Sequence, residues 1–203
     1  VVNRGDKRDV LRQILRERNV EAALIFCNRK RDVDILGRSL KRHGFNAAAL
    51  HGDMVQTVRM ETLDGFRNRS ISFLVASDVA ARGLDISGLP YVFNFDVPSH
   101  AEDYIHRIGR TGRAGMPGIA VTLAAPDDTK YLDAITRLIG KKIPVLESPN
   151  IETAALEDSG PPRRGRGRGR ERSRGERSRS EERRPRQRES AAQPAPPASP
   201  DEG

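Results

Sequence analysis

Two short stretches of this 203-residue chain carry residue types suited to phosphate chemistry. The first is Ser77-Asp78-Val79-Ala80-Ala81-Arg82-Gly83-Leu84-Asp85. It combines a hydroxyl, two carboxylates, an arginine and a glycine at which backbone can approach a ligand closely. A hydroxyl with main-chain N–H groups at the start of a short helix makes an anion-binding arrangement. Arg82 can reach a phosphate or brace a carboxylate. In isolation a plainer reading fits equally well, with Asp78 as a helix cap and Asp85 as the start of a turn. The second stretch is His106–Gly115, HRIGRTGRAG. Arg110 and Arg113 stand three apart, so on a helix they project in nearly the same direction. Two guanidiniums forked this way suit a triphosphate whose charge shifts during transfer. A basic, solvated helix end is the alternative, although glycines inside a helix are costly without a reason.

A third stretch, His51-Gly52-Asp53 with Gln56 and Arg59, offers turn N–H groups and a guanidinium one helical turn further on. A nucleic-acid backbone is one guest for it. An Asp-capped helix with Arg59 in a surface ion pair is the other reading. The four histidines, His43, His51, His100 and His106, have no metal-ligand spacing with Cys27, so no metal bound by these side chains is expected.

The elements that must position these residues read as alternating strands and helices. Ala22–Cys27, Ala47–Leu50, Ser72–Ala76, Tyr91–Phe95 and Ile119–Leu123 are short apolar runs, and several are nearly all apolar, as strands covered on both faces should be. Between them lie helical stripes: Val10, Leu11, Ile14 and Leu15; Val33, Leu36 and Leu40 ending at Gly44; Arg59, Leu63 and Phe66; Tyr131, Leu132, Ile135 and Ile139. Ser99-His100-Ala101-Glu102 has capping-box spacing and predicts a helix carrying Ile105 and Ile108. Such alternation implies right-handed β-α-β units, a mostly parallel sheet and helices on both faces. In that architecture ligands meet the loops at the carboxyl ends of the strands. The chemistry-bearing stretches follow the predicted strands, or lie on the helix after the fourth.

Composition bounds the function. There are 36 Lys plus Arg against 28 Asp plus Glu, for a net charge of +8, with aromatics at 4% and no Trp. This balance favours polyanionic partners. One cysteine excludes an internal disulfide and fits a reducing compartment. No apolar run approaches a membrane span, so no membrane partner is expected. Residues 147–203 hold 13 arginines and no lysine, with Pro, Ser, Gly and Glu, and too few large apolar side chains to offset the entropy of ordering. A domain over residues 1–146 followed by a disordered linker and tail over residues 147–203 is therefore expected. Gly165-Arg166-Gly167-Arg168-Gly169-Arg170 suits salt-sensitive attachment to RNA phosphates and stacking on bases, or alternatively a solubilising role.

Five stretches occur in order at suitable intervals: AALIFCNRKR (Ala22–Arg31), HGDMVQTVR (His51–Arg59), SDVAARGLD (Ser77–Asp85), FNFDVP (Phe93–Pro98) and HRIGRTGRAG (His106–Gly115). Together they resemble the carboxyl-terminal RecA-like domain of DEAD-box ATP-dependent RNA helicases, over nearly all of residues 1–146. The resemblance implies an α/β, three-layer RecA-like fold and a cytoplasmic protein using ATP with Mg2+. It implies that Arg110 and Arg113 are arginine fingers for the ATP γ-phosphate and that Asp85 helps hold the ribose. It implies that His106 couples nucleotide state to the partner domain. Asn28, Gly52, Arg59, Ser77 and Gly83 then lie along the RNA backbone, with Arg166, Arg168 and Arg170 of the tail as further RNA contacts. Arg82 links the RNA and ATP sites. Two departures stand out: Ser77 replaces a usual Thr and keeps the hydroxyl, and Arg29 replaces a usual small hydroxyl residue.

Neither G-x-x-x-x-G-K-[ST] nor Asp-Glu-Ala-Asp occurs in the 203 residues. By the family pattern these elements, and with them most of the metal's ligands, belong to an amino-terminal RecA-like domain. The first residue is Val1, which adds to the expectation of a longer protein whose carboxyl-terminal half alone hydrolyses ATP negligibly. RNA, the amino-terminal domain and RNA-processing or ribosome-assembly proteins are the expected partners. A stand-alone RNA-binding module and a DNA-directed helicase of the same superfamily are the competing readings.

Overall fold

The computed structural model describes residues 1–112 and 117–146, all within the first of two units into which the chain divides, Val1–Pro161. The elements alternate as expected: α1 (Lys7–Glu17), β1 (Ala23–Cys27), α2 (Lys30–Arg42), β2 (Ala47–Leu50), α3 (Gln56–Arg67), β3 (Phe73–Ser77), α4 (Asp78–Ala81), β4 (Tyr91–Asn94), α5 (Ala101–Ile108), β5 (Ile119–Thr122), and α6 (Thr129–Ile139) after a 3-10 turn at Pro126–Asp128. The five strands form one sheet in the order β2-β3-β1-β4-β5, and every neighbouring pair is parallel. This is the α/β RecA-like architecture.

Each central strand feeds two cores by its period-two alternation. Ala23, Ile25 and Cys27 of β1 with Phe73 and Val75 of β3 pack against Leu11, Ile14 and Leu15 of α1 and Val33, Leu36 and Leu40 of α2. Leu24 and Phe26 with Leu74 and Ala76 pack on the other side with Leu63 and Phe66 of α3 and with Ala80 and Ala81 of α4. Both faces of β1 and β3 are thus buried, which is why their sequences carry no polar alternation. A third cluster joins Val97, Tyr104 and Ala124 to Ile135 of α6.

Three local expectations change. β5 lies at the sheet edge with Ile119 and Ala120 exposed, so its apolar sequence does not mark a strand covered on both faces. The amino-terminal cap of α5 is His100, not Ser99, and no side chain caps it. The buried stripe of α5 holds Tyr104 and Arg107, while Ile105 is 43% exposed. The helix is rotated because Arg107, not an aliphatic residue, fills the inward position.

The segment before α1 is anchored. Val2 is buried and its N–H donates to the Ala124 carbonyl at 2.8 Å. Lys7, in the first turn of α1, is also buried. Its Nζ donates to the Phe95 carbonyl at 3.1 Å and stands 3.7 Å from Asp96 and 3.6 Å from Asp128. Two carboxylates and a carbonyl supply the partners that a buried ammonium requires.

Candidate functional site

The strand order sets β2, β3 and β1 side by side, so the loops at their carboxyl ends form one continuous rim. Gly52 follows β2, Ser77 ends β3 and Asn28 follows β1; register pairs Cys27 with Ser77. Neighbouring strands lie roughly 4.8 Å apart, so the residues proposed for RNA contact from β2 to β1 span roughly 10 Å. Gly52 and Gly83 are both exposed, and nothing lies within 4 Å of a Cβ built on either. Gly83 has φ +76, the left-handed conformation that glycine adopts without strain.

Ser77 caps α4: its hydroxyl accepts from the Ala80 N–H at 3.4 Å. This task belongs to Ser77 rather than to Asp78. Arg59, from α3, donates to the Ala80 carbonyl at 2.8 Å and ties α3 to the short helix. Arg29 stands at the amino-terminal cap of α2 without a side-chain cap bond, a bond that a serine or threonine there is suited to make.

Arg107 organises the rim, and its role was not anticipated from the sequence. It is 1% exposed. Nε and Nη2 each donate to one oxygen of Asp78 at 2.6 Å. Nη2 also donates to Asn28 Oδ1 at 2.8 Å, and Nη1 donates to the Asp96 carbonyl at 2.7 Å and to Asn94 Oδ1 at 3.4 Å. Every one of the five guanidinium N–H groups is used. The guanidinium also stands 5.2 Å from the Phe26 ring centroid. One side chain therefore fastens α5 to the ends of β1, β3 and β4. Asn28 is held from both sides, since its Nδ2 donates to the Val97 carbonyl at 2.9 Å and its backbone N–H to Asp96 Oδ2 at 3.1 Å.

Beside this hub a pocket of about 200 Å³ is lined by Phe26, Asp78, Ala81, Arg82, Asp103, His106, Arg107 and Arg110. Arg82 and His106 point to Asp103 at 3.5 and 3.9 Å and remain 71% and 68% exposed. Arg110 donates to the Leu84 carbonyl at 2.7 Å, one residue before Asp85 in the chain. Asp85 itself is exposed and lines a separate, larger groove. Arg82, His106 and Arg110 thus share one pocket lining with the carboxylates of Asp78 and Asp103. Among the described residues no group of three His, Cys, Asp or Glu converges as a metal site.

Arg110 does not lie on the helix that the expected fork with Arg113 assumes. α5 ends at Ile108, Gly109 caps it and Gly112 has φ +60. Thr111 instead runs parallel to Leu89 as an isolated bridge, and its hydroxyl donates to the Leu89 carbonyl. The glycines break the helix rather than clear space within it. Arg113, Arg166, Arg168 and Arg170 lie outside the described residues.

Comparison with known proteins matches this arrangement. The model for the helicase conserved C-terminal domain covers residues 6–115. The chain is 44% identical over 153 residues to the ATP-dependent RNA helicase CshA of Listeria monocytogenes, spanning 75% of this chain and 29% of that protein. It thus spans less than a third of the curated relatives it matches. Among solved structures it resembles E. coli DEAD-box protein SrmB bound to the regulator of ribonuclease activity A, with TM-score 0.66 and 36% identity over 70% of this chain and 84% of that one. It also resembles a DEAD box protein from Methanococcus jannaschii, with TM-score 0.65 and 38% identity over 70% and 39% of the two chains. With the parallel five-stranded sheet, the loop rim and the arginine hub in place, the chain belongs to the helicase conserved C-terminal domain family, as a RecA-like domain of the DEAD-box type.

Proposed function

We propose that this domain is the carboxyl-terminal half of an ATP-dependent RNA helicase. It lends cations to ATP hydrolysis and grips one side of the RNA backbone. The observation that carries the reading is the gathering of Arg82, His106 and Arg110 around one pocket next to the rim of Asn28, Gly52, Ser77 and Gly83. A cationic pocket and a backbone-rich rim, joined through Arg107, suit a device that senses nucleotide and RNA together.

Triphosphate enters a cleft whose opposite wall is a P-loop-bearing half. That half supplies most ligands of the accompanying Mg2+. On closure Arg110 and Arg113 meet the terminal phosphate and offset the charge developing in the transition state. Asp85 holds the ribose, and His106 contacts the other half. The same closure presses RNA against the rim. Contacts to phosphate and sugar make the grip independent of base sequence, and 2′-hydroxyl contacts select RNA over DNA. The arginines at 166, 168 and 170 add a diffuse attachment. The protein works in the cytoplasm with RNA-processing partners, in the manner of SrmB with its bound regulator.

The test joins this chain to the amino-terminal half of its Listeria relative and measures ATP turnover. RNA-stimulated hydrolysis, with DNA much less effective, is expected. Turnover that RNA leaves unchanged, in a fusion whose parent enzyme responds to RNA, overturns the reading.

A further inference from the structure

The net positive charge is unevenly placed. α1 carries Lys7, Arg8, Arg12 and Arg16 against Asp9 and Glu17, and α2 carries Lys30, Arg31, Arg38, Lys41 and Arg42 against Asp32 and Asp34. The cations and acids of α3 balance, and those of α5 leave it acidic. Arginines also align in stripes. Arg8, Arg12 and Arg16 recur every four residues along one flank of α1. Arg31, Arg38 and Arg42, at spacings of seven and four, fall within a narrow arc of α2 opposite its buried Val33, Leu36 and Leu40.

The two stripes are fastened together. Arg12 donates to Ser39 Oγ at 3.2 Å, and Arg16 donates to the His43 carbonyl at 3.3 Å and covers the Phe45 ring at 5.1 Å. The nearby acids neutralise only part of the two stripes. Asp9 is held by Arg12 and Asp34 by His51. Arg8, Arg31, Arg38 and Arg42 have no ion pair among the described residues, and all four are exposed. Like charges four residues apart weaken a helix. Burial and the fields of Arg16 and Arg8 hold the Arg12 guanidinium below its ordinary value. Arg12 and Arg16 join the two helices, whereas the exposed Arg8, Arg31, Arg38 and Arg42 add like charge that a polyanion relieves.

Their placement gives the polyanion a route. α2 starts directly after Asn28, at the strand-end rim, and runs back towards the amino ends of the strands. From Arg31 to Arg42 it advances about 16 Å. At about 3.4 Å per phosphate, one strand over that length presents roughly five phosphate charges.

We propose that the arginine stripes of α1 and α2 form a second nucleic-acid contact, a track for the phosphate backbone of RNA that extends beyond the strand-end rim. It rests on the RNA reading for the strand leaving the rim, and on its own charge pattern for the rest. It is independent of base sequence and of ATP. Only RNA long enough to pass Arg31 engages it.

The test compares the full chain with the triple variant Arg8→Gln, Arg38→Gln and Arg42→Gln. These residues are exposed, so the variant should melt at or slightly above the parent temperature. Binding is measured by fluorescence anisotropy against salt, with RNAs of about 8 and about 30 nucleotides. Losing three phosphate contacts should lower the salt slope for the long RNA by about 2 and its affinity at least tenfold at moderate salt, and leave the short RNA within twofold. An unchanged slope for the long RNA overturns the track. So does an equal loss on both RNAs, or a defect seen only on vesicles of anionic phosphatidylglycerol. If the short RNA fails to bind the parent chain as well, the rim reading falls with it; if the short RNA binds normally, only the track is lost.

Discussion

Arg107 and Asp78 form a two-bond fork, Nε to one carboxylate oxygen and Nη2 to the other, both at 2.6 Å. The fork is buried on the arginine side, and three further acceptors complete it. Asp78 opens the helix that Ser77 caps, so the fork sets the position of the whole Ser77–Asp85 stretch against α5. Truncating Arg107 strands Asp78, Asn28 and the Asp96 carbonyl together. Arg107→Ala should lower unfolding free energy by about 3–5 kcal/mol, seen as a lower urea midpoint with unchanged slope. Arg107→Lys should rescue little of it, because an ammonium cannot reproduce the planar fork. A lysine variant as stable as the parent would show that the charge alone matters.

Arg110 and Arg113 are expected to act on turnover and not on stability. Among the described residues the Arg110 side chain makes one hydrogen bond, to the Leu84 carbonyl. In the fusion with a P-loop-bearing half, Arg113→Ala should reduce ATP hydrolysis about 10³-fold, and Arg110→Ala should cause a comparable loss. RNA affinity should stay within twofold. Steady-state turnover and anisotropy on the same preparations separate the two effects.

The glycines of the rim can be told apart. At Gly83 an added Cβ meets nothing within 4 Å, but φ is +76. Gly83→Ala should therefore cost about 1–2 kcal/mol of stability through the backbone alone. Gly52 has the same open space without the left-handed backbone. Gly52→Ala should be close to neutral in thermal melts. A fall in its RNA affinity then reports how closely RNA approaches the turn, and unaltered affinity removes Gly52 from the contact surface.

Cys27 ends β1 fully buried. Burial, with smaller contributions from the nearby Asp96 and Asp32, pushes its thiol well above the ordinary range. The folded chain therefore holds a proton that the unfolded chain loses above about pH 8.5, so stability falls as pH rises through that window. Cys27→Ala should flatten this alkaline limb. Native protein should react with iodoacetamide at the rate of its own opening, many times more slowly than in urea.

Much of this architecture is legible in the chain. Runs such as Leu24-Ile25-Phe26 and Leu74-Val75-Ala76 are apolar without alternation, and only strands covered on both faces need that. The Leu36 and Leu40 stripe with Gly44 at φ +83 likewise marks a helix and its end. Strand order is not legible, because a crossover carries no record of which neighbour it joins. The hub escapes for a different reason. Arg107 is one of three arginines in HRIGRTGR, and in sequence nothing but the inward turn of α5 distinguishes it from Arg110. Ile105 suggests the opposite turn, and no local pattern weighs one aliphatic side chain against five buried hydrogen bonds. The helix assumed for Arg110 is likewise not legible, since α5 ends at Ile108 with Gly109 as its cap.

Lys7 links the start of the domain to its rim. Its ammonium is lodged between Asp96 and Asp128, and Asp96 in turn grips the Asn28 amide and receives Arg107. The residues ahead of α1 are thus coupled through Lys7–Asp96 and Arg107–Asp78 to the loops that hold Asn28 and Asp78, as well as through Val2 to the apolar core.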